Sequence, residues 1–324
     1  MAGETARAFW VVAPGRGVIR AEPLRRPSPG EVVVQAIYSG ISRGTEALVF
    51  EGRVPTSEYQ RMRAPFQAGD FPGPVKYGYA SVGRVADGAP DLLDRLVFVL
   101  YPHQTHYVVP SQAVFVLPES VPPARAVLAA NLETAINGLW DARPHIGDRI
   151  AIVGAGTVGC LVAWLAGRLP GCQVELIDIN PNRAAMADAL GVRFATPDSA
   201  SEGADAVIHT SGVPAGLQLA LRIAGLESTI VDMSWYGTQA VPLALGEAFH
   251  ARRLILKSSQ VGRVAPTQQA RWDNRRRLEL ALTLLEDEAL DVLITGESAF
   301  DSLPEVMARL AAAPDGALCH RIRY

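Results

Sequence analysis

The stretch RIAIVGAGTVGCLVAWLAGRL, residues 149–169, decides the fold of this chain. A short apolar run passes directly into the pattern G-x-G-x-x-G, and an apolar helical stretch follows it. In this pattern the first glycine permits a tight turn, the second lets the backbone approach a diphosphate, and the third lets helix and strand pack closely. Gly154, Gly156 and Gly159 fill these positions, so the stretch predicts a dinucleotide site at a helix N-terminus. The alternative is a tight turn in an α/β domain that binds another ligand or none.

An acidic residue lies near the end of the next predicted strand, QVELIDI at 173–179. A carboxylate at the position of Asp178 can accept hydrogen bonds from both hydroxyls of the cofactor's ribose. The same negative charge repels a 2′-phosphate. The sequence therefore predicts NAD as cofactor and disfavours NADP.

Strand-like and helix-like stretches alternate after Pro123, which is typical of a parallel, doubly wound sheet. Predicted strands cover 149–156, 173–179, 206–212, 228–235 and 254–262, and predicted helices cover 124–142, 157–169, 182–190 and 275–287. Residues 8–117 instead carry short β-rich runs separated by Gly and Pro, which predict a mostly antiparallel, barrel-like unit. The insert between Phe50 and Tyr77 is polar and irregular, as functional or mobile loops are.

The composition excludes several classes of protein. Hydrophobic residues make up 49% of the 324 residues, so the chain can bury large cores and is not disordered. A net charge of −3 gives no electrostatic reason to expect nucleic acid or an anionic membrane as partner. Three separated cysteines and no signal-peptide pattern lead us to expect a cytoplasmic protein without disulfides. We interpret the basic cluster of Arg271 and Arg275 to Arg277 as a solvated helix face.

Four stretches carry a resemblance that covers essentially the whole chain: YSGISRGTE (38–46), YGYASVGRV (77–85), PHIGDRIAIVGAGTVG (144–159) and ELIDINPNR (175–183). They resemble the alcohol-dehydrogenase-like medium-chain dehydrogenase/reductase family. The resemblance implies an α/β fold with a GroES-like β-rich catalytic domain at 1–123, a Rossmann domain at 124–287 and a return to the catalytic domain at 288–324. It also implies a homodimer that pairs the edge strand at 254–262.

The sequence departs from the zinc alcohol dehydrogenases of that family at all three metal positions. Ser42 stands where they have a cysteine, Tyr79 where they have a histidine, and Ala130 (or Asn131) where they have another cysteine. These side chains cannot supply the three protein ligands that a catalytic zinc needs. We therefore expect no metal. The motifs most resemble a metal-free branch, which includes a bacteriochlorophyllide hydroxyethyl dehydrogenase.

Without zinc, hydride transfer to a ketone needs a hydrogen-bond or proton donor beside the developing oxyanion. Tyr79 is the first candidate, and Lys76 would lower the pKa of a nearby phenol. The alternative is that Tyr79 only fills the vacated metal cavity. Ser42 is a second possible donor or a small polar filler.

Glu133, in NLETA, is a candidate proton relay, or an acid that the dipole of its helix favours. Glu46 is expected to pair with Arg321 or Arg43, and His209 to be a buried, hydrogen-bonded histidine. The resemblance assigns Arg43 to the cofactor diphosphate. The remaining predicted cofactor contacts are Thr134, Thr157, Val158, Ile179, Arg183, Ser211 and Ser234.

These observations predict a zinc-independent, NAD-dependent oxidoreductase that acts on a secondary alcohol or ketone, with a bulky ring as one substrate class. The first alternative is an enoyl or quinone reductase of the same fold, which usually takes NADPH. The second is a dinucleotide-binding protein without catalytic activity.

Overall fold

The computed structural model describes residues 5–313 and 316–324. The chain divides into two compact units. The first, here called the β-rich unit, contains the residues up to Ala130 together with Leu282–Glu286 and Ile294–Tyr324. The second, here called the α/β unit, contains Asn131–Ala281 and Asp287–Leu293.

Antiparallel pairing dominates the β-rich unit. Its strands are β1 (Thr5–Ala13), β2 (Arg16–Pro23), β3 (Glu31–Ile41), β4 (Ala68–Gly69), β5 (Val75–Lys76), β6 (Ser81–Gly88), β7 (Leu96–Val99), β8 (His106–Pro110) and β9 (Phe115–Val116), with β16 (Ile294–Ala299) and β17 (Cys319–Arg323) from the end of the chain. One sheet has the order β2-β1-β5-β4, and the other has the order β16-β17-β3-β6-β7-β9, with β8 also paired to β3. Alternating valines of β3, β6 and β7 form an apolar core together with Tyr107.

The α/β unit has a single parallel sheet. Its strands are β10 (Arg149–Val153), β11 (Gln173–Ile177), β12 (Arg193–Ala195), β13 (Ala204–His209), β14 (Ala224–Asp232) and β15 (Ile255–Ser258). The order β12-β11-β10-β13-β14-β15 places β10 beside both β11 and β13, the reversal point at which open α/β sheets bind ligands. The central strands β10, β11 and β13 are buried at all but one position each, as is typical of a parallel sheet with helices on both faces.

The helices are α1 (Arg43–Phe50), α2 (Pro123–Ala126), α3 (Ala129–Ala142), α4 (Thr157–Ala166), α5 (Ala184–Ala189), α6 (Pro214–Ile223), α7 (Asn274–Leu284) and α8 (Leu303–Ala312). Short 3-10 turns occur at Thr56–Glu58, Ser111–Ala113, Pro181–Arg183, Glu288–Leu293 and Phe300–Ser302, and a π-helical turn occurs at Leu245–Phe249. No helix within the described ranges is long and apolar enough to cross a membrane.

The α/β fold class is confirmed, and the element boundaries are corrected in detail. The helix predicted over 124–142 is two helices, α2 and α3. The strand predicted over 254–262 covers only β15. The insert between Phe50 and Tyr77 is less irregular than predicted, because it contains a 3-10 turn and the paired strands β4 and β5.

Candidate active site

The glycine-rich turn follows β10 and opens α4. Gly154 has φ +110°, and a Cβ atom added to it would lie 2.7 Å from the backbone of Ser211. A Cβ atom on Gly159 would lie 1.9 Å from the carbonyl oxygen of Gly154. Both positions therefore require glycine, the first for the turn and the second for close packing of helix and strand.

Gly156 differs from the other two glycines of the turn. It has extended backbone at the start of α4, and a Cβ atom added to it would meet no atom within 4 Å. No protein contact at this position explains the glycine, whereas a ligand that approaches the N-terminus of α4 would need this space. The turn is held in place by Thr210, whose hydroxyl donates a 2.8 Å hydrogen bond to the carbonyl oxygen of Gly154. The three glycines thus have the geometry that a dinucleotide diphosphate requires.

Asp178 lies directly after β11, beside this turn. One carboxylate oxygen accepts a 2.7 Å hydrogen bond from the backbone N–H of Ala155, and the other accepts one of 2.8 Å from Asn180. An ionised carboxylate can accept about four hydrogen bonds, so capacity remains for the hydroxyls of a ribose. Ile179 beside it is exposed, whereas Arg183 is buried.

Polar side chains also end β13 and β14, the next strands of the sheet. His209 is fully buried and lies opposite Asp232 in the strand register. Its Nδ1 is 2.9 Å from Asp232 Oδ1, and its Nε2 is 2.6 Å from Ser211 Oγ. Burial raises the pKa of Asp232, but the hydrogen bonds and charge of His209, together with hydrogen bonds from Ser234 and Tyr236, outweigh burial, so the pKa lies below its usual value. His209 is the buried, hydrogen-bonded histidine that the sequence predicts.

The two serines predicted to bind cofactor have partners within this cluster. Ser211 Oγ accepts from the backbone N–H of Val213 at 3.3 Å, and Ser234 Oγ accepts from Gly212 at 3.0 Å. Both hydroxyls therefore hold the loop that follows β13.

Tyr79 lies between β5 and β6 in the β-rich unit and is partly buried. Burial and the negative charge of Glu46 raise its pKa to about 12, while hydrogen bonds with the side chains of Ser42 and Thr45 oppose this rise. The prediction that Lys76 lowers the pKa of Tyr79 is wrong, because Lys76 is not among the groups that shift it. The Lys76 ammonium instead binds Glu22 at 2.7 Å and Gln104 at 2.6 Å, because its side chain turns into the sheet of β1 and β5.

The expected pairing of Glu46 with an arginine is also wrong. Glu46 is buried at the start of α1, where it accepts from the backbone N–H of Ser42 at 2.8 Å and contacts His103 Nε2 at 2.8 Å. Arg321 binds Glu297 at 2.8 Å instead. Arg43 begins α1.

Glu133 forms a buried ion pair with Arg277, whose Nε donates to its carboxylate at 3.0 Å. The Arg277 guanidinium also donates to Asn137 Oδ1 and to the carbonyl oxygen of Val261, both at 2.5 Å. Burial raises the pKa of Glu133, and Arg277 opposes this rise. Glu133 is therefore paired with Arg277, and it lies beyond the first turn of α3, so the alternative of an acid favoured by the helix dipole is wrong.

The interpretation of the basic cluster as solvated is wrong for Arg277, which is 1% exposed, and correct for the other three arginines, which are exposed. A signal existed in the sequence. Arg277 precedes Ala281 by four residues and so continues the apolar stripe of α7, where an unpaired charge is costly. His103 and its contact with Glu46 were missed because no recognisable motif surrounds this histidine.

Ser42, Tyr79 and buried Ala130 occupy the positions that the family resemblance aligns with zinc ligands. Within residues 5–313 and 316–324, no group of three or more His, Cys, Asp or Glu side chains is placed to hold a metal ion. Asn131 and Thr134 lie on α3, as predicted from the sequence stretch that contains them.

No protein-family model matches the chain. Its sequence is 29% identical to a 2-desacetyl-2-hydroxyethyl bacteriochlorophyllide A dehydrogenase of Rhodobacter capsulatus, over 70% of this chain and 72% of that protein. It is 23% identical to a D-guloside 3-dehydrogenase of Escherichia coli, over 88% and 87%. A 2-dehydro-3-deoxy-L-galactonate 5-dehydrogenase of Pseudoalteromonas atlantica is 29% identical, but the match spans only 45% of this chain and 46% of that protein.

The fold is that of solved dehydrogenases. A dehydrogenase from Sinorhizobium meliloti 1021, described as zinc-binding and bound to NADP, has a TM-score of 0.79 at 18% identity, over 99% of this chain and 100% of that one. An alcohol dehydrogenase from E. coli CFT073 complexed with NADH has a TM-score of 0.77 at 16% identity, with the same coverage. The GroES-like and Rossmann architecture is confirmed, and the sequence relatives support an oxidoreductase of the alcohol-dehydrogenase-like family.

Proposed function

We propose that this chain is a zinc-independent, NAD-dependent dehydrogenase or ketoreductase. It moves a hydride between a nicotinamide cofactor and a secondary alcohol or ketone. The observation that carries the proposal is the glycine turn, where the space beside Gly156 at the start of α4 has no protein occupant. The dehydrogenase names of the sequence relatives support the reaction class.

The turn would hold the diphosphate, with Thr157 and Val158 supplying backbone N–H groups at the N-terminus of α4. Asp178 would accept hydrogen bonds from the ribose hydroxyls, and its charge would repel the 2′-phosphate of NADP. Ile179 would lie along the adenine side, where it is exposed. When bound, the nicotinamide supplies or accepts the hydride.

Tyr79 would donate to the substrate oxygen. A carbonyl that receives hydride develops negative charge on its oxygen, and a neutral phenol can stabilise that charge and release its proton. With a pKa of about 12, Tyr79 is neutral at physiological pH. The side chain of Ser42 is hydrogen-bonded to the Tyr79 hydroxyl and would orient this hydroxyl toward the substrate.

The test is an activity screen with ketones, enones and quinones, each with NADH and with NADPH. We expect NADH-dependent reduction of ketones, and the panel should include a bulky ring ketone because one relative acts on a bacteriochlorophyllide. Reduction of enones or quinones with NADPH would favour the other reductase class. NADH binding without turnover of any of these compounds would favour a non-catalytic protein.

Metal content is tested on the same preparation. We expect no stoichiometric zinc by elemental analysis and unchanged ketone reduction after EDTA treatment, since the ligand positions hold Ser42, Tyr79 and Ala130. One zinc ion per chain, lost together with activity on chelation, would overturn zinc independence.

We also propose that the protein forms a homodimer through β15. This strand is at the edge of the parallel sheet, and Ile255 and Leu256 are 55% and 36% exposed on it. An exposed apolar edge favours pairing with a second copy. Light scattering at micromolar concentration should show a dimer for the wild type and a monomer for Ile255→Lys; a wild-type monomer would refute this assembly.

A further inference from the structure

We propose that Glu46 and His103 are positioning residues that keep the Tyr79 hydroxyl protonated and directed for donation. The proposal rests on the donor role of Tyr79 in the proposed function. It assigns a role to the buried pair of Glu46 and His103, which belongs neither to the glycine turn nor to the proposed cofactor contacts.

The couple belongs to a chain of buried hydrogen bonds. Ser39, His103 and Glu46 are 0%, 1% and 3% exposed. Ser39 Oγ is 2.7 Å from His103 Nδ1, and Tyr324 Oη is 2.9 Å from Ser39 Oγ. On its other side, His103 Nε2 is 2.8 Å from Glu46 Oε2.

The partners fix the direction of these bonds. An ionised Glu46 only accepts, so His103 Nε2–H donates to it, as does the backbone N–H of Ser42. In the neutral ring Nδ1 then accepts, which makes Ser39 its donor and Tyr324 the donor to Ser39. Each carboxylate oxygen of Glu46 thus has a donor, which stabilises a negative charge in a buried place.

Two contacts connect this charge to Tyr79. Gly78, the residue before it, has φ +134°, and a Cβ atom there would lie 3.1 Å from His103 Cδ2 and 3.3 Å from Nε2. The imidazole therefore packs directly on the backbone that carries Tyr79. The side chains of Ser42 and Thr45 form hydrogen bonds with the Tyr79 hydroxyl. Ser42 is the N-cap residue of α1, and Thr45 and Glu46 lie in its first turn.

A buried carboxylate penalises a second negative charge beside it, so Glu46 opposes formation of the Tyr79 phenolate. Titratable groups that interact with Glu46 include His103 from the loop after β7, Tyr77 and Tyr79 before β6, and Cys319 and Tyr324 from the C-terminal segment.

The proton balance follows from this arrangement. As hydride reaches the carbonyl carbon, the carbonyl π bond breaks and its electron pair moves to the oxygen. The O–H bond of Tyr79 breaks, and a new O–H bond forms on the product alcohol. Because Glu46 destabilises the resulting phenolate, Tyr79 takes a proton back from solvent before the next turnover.

Glu46→Gln tests the proposal because it removes the charge and retains the shape. The first readout is independent of catalysis: ¹³Cζ-tyrosine NMR of the full-length protein, with the Tyr79 signal assigned by its loss in Tyr79→Phe. We expect the wild-type signal to stay constant up to about pH 11, and the Glu46→Gln signal to titrate about one pH unit or more lower than in the wild type. Glu46→Asp should restore the wild-type behaviour.

The second readout is the pH profile of ketone reduction. In Glu46→Gln we expect the alkaline decline of kcat/KM to move down by the same interval, with the KM for NADH unchanged. Glu51→Gln, which removes a carboxylate at the end of α1, is the matched control and should leave both readouts unchanged.

The outcomes separate the two proposals. An unshifted Tyr79 resonance in Glu46→Gln overturns the positioning role, whatever the kinetics. A shifted resonance together with a fully active Tyr79→Phe enzyme supports the coupling and refutes Tyr79 as the donor. If Glu46→Gln fails to fold, His103→Gln replaces it: loss of the ring's support for Glu46 should shift the Tyr79 resonance, and no shift overturns the proposal.

Discussion

The two units build their candidate sites from different parts of the chain. In the α/β unit the site is made of backbone, with a glycine turn whose position is fixed by the packing of Gly154 and Gly159. In the β-rich unit it is made of side chains. The Tyr79 hydroxyl is hydrogen-bonded to Ser42 and Thr45 and interacts with the buried carboxylate of Glu46. No other residue can reproduce the backbone geometry of the glycine turn. In contrast, when one hydroxyl group near Tyr79 is removed, another can still hydrogen-bond to it. Single substitutions in the glycine turn should therefore abolish cofactor binding, whereas single substitutions among the hydroxyl groups around Tyr79 should reduce activity by degrees.

Gly156→Val should have the largest effect. Its side chain would occupy the open space beside the start of α4 where a diphosphate would approach, so we expect NADH binding to be abolished, measured by fluorescence. The melting temperature should stay unchanged, since no protein atom lies within 4 Å. Gly246→Val, also in open space and on an exposed segment, is the control. NADH affinity near that of the wild type would remove the turn from the cofactor site.

Tyr79→Phe should lower kcat by about 10²–10⁴-fold with little change in NADH affinity, because it removes the donor and keeps the ring. Tyr77→Phe is the control, because the centroid of the Tyr77 ring lies 6.0 Å from that of Tyr79. Its kcat should stay within a few-fold of the wild-type value. Equal activity of both variants would mean that Tyr79 only fills space.

Arg277→Met should lower the free energy of unfolding by about 3–5 kcal/mol, since it leaves Glu133 buried without its partner. Arg276→Met, one residue away and exposed, should change it by less than about 1 kcal/mol. Urea denaturation measures both. Similar losses for the two arginines would contradict a buried anchor at Arg277.

Asp178→Ala should have the smallest effect, a narrowing of the preference for NADH over NADPH by about tenfold. The measurement is the ratio of the two Kd values. Asp188→Ala, an exposed aspartate on α5, should leave this ratio unchanged. A wild-type preference for NADPH would refute the assigned role of Asp178.

The same contrast explains what the sequence could predict. The glycine turn was predicted in position because its backbone demands specific residues at specific local spacings. The partners of Lys76, Glu46 and Glu133 were not predicted, because they lie 54, 57 and 144 residues away along the chain. A long charged side chain can reach several different partners, and only the tertiary packing determines which of these partners it binds.

The predicted donor shows both sides of this limit. Tyr79 was predicted as the donor because the family resemblance aligns it with a histidine that binds zinc in the zinc alcohol dehydrogenases. The predicted direction of its pKa shift was wrong, because burial and then the Glu46 carboxylate, 33 residues away along the chain, raise the pKa, while the lysine three residues away binds Glu22. Sequence proximity was a poor guide to the electrostatic environment.

The hydrogen bond between Ala155 and Asp178 has a consequence for coenzyme engineering. The Asp178 carboxylate that would bind the ribose also accepts a 2.7 Å hydrogen bond from the backbone N–H of Ala155 in the glycine turn. A replacement that removes the acceptor, such as Asp178→Ala, would also release this amide and loosen the turn that would hold the diphosphate. Laboratory evolution toward NADP should therefore proceed through compensatory pairs, in which the change at Asp178 is accompanied by a second change that secures the Ala155 amide again.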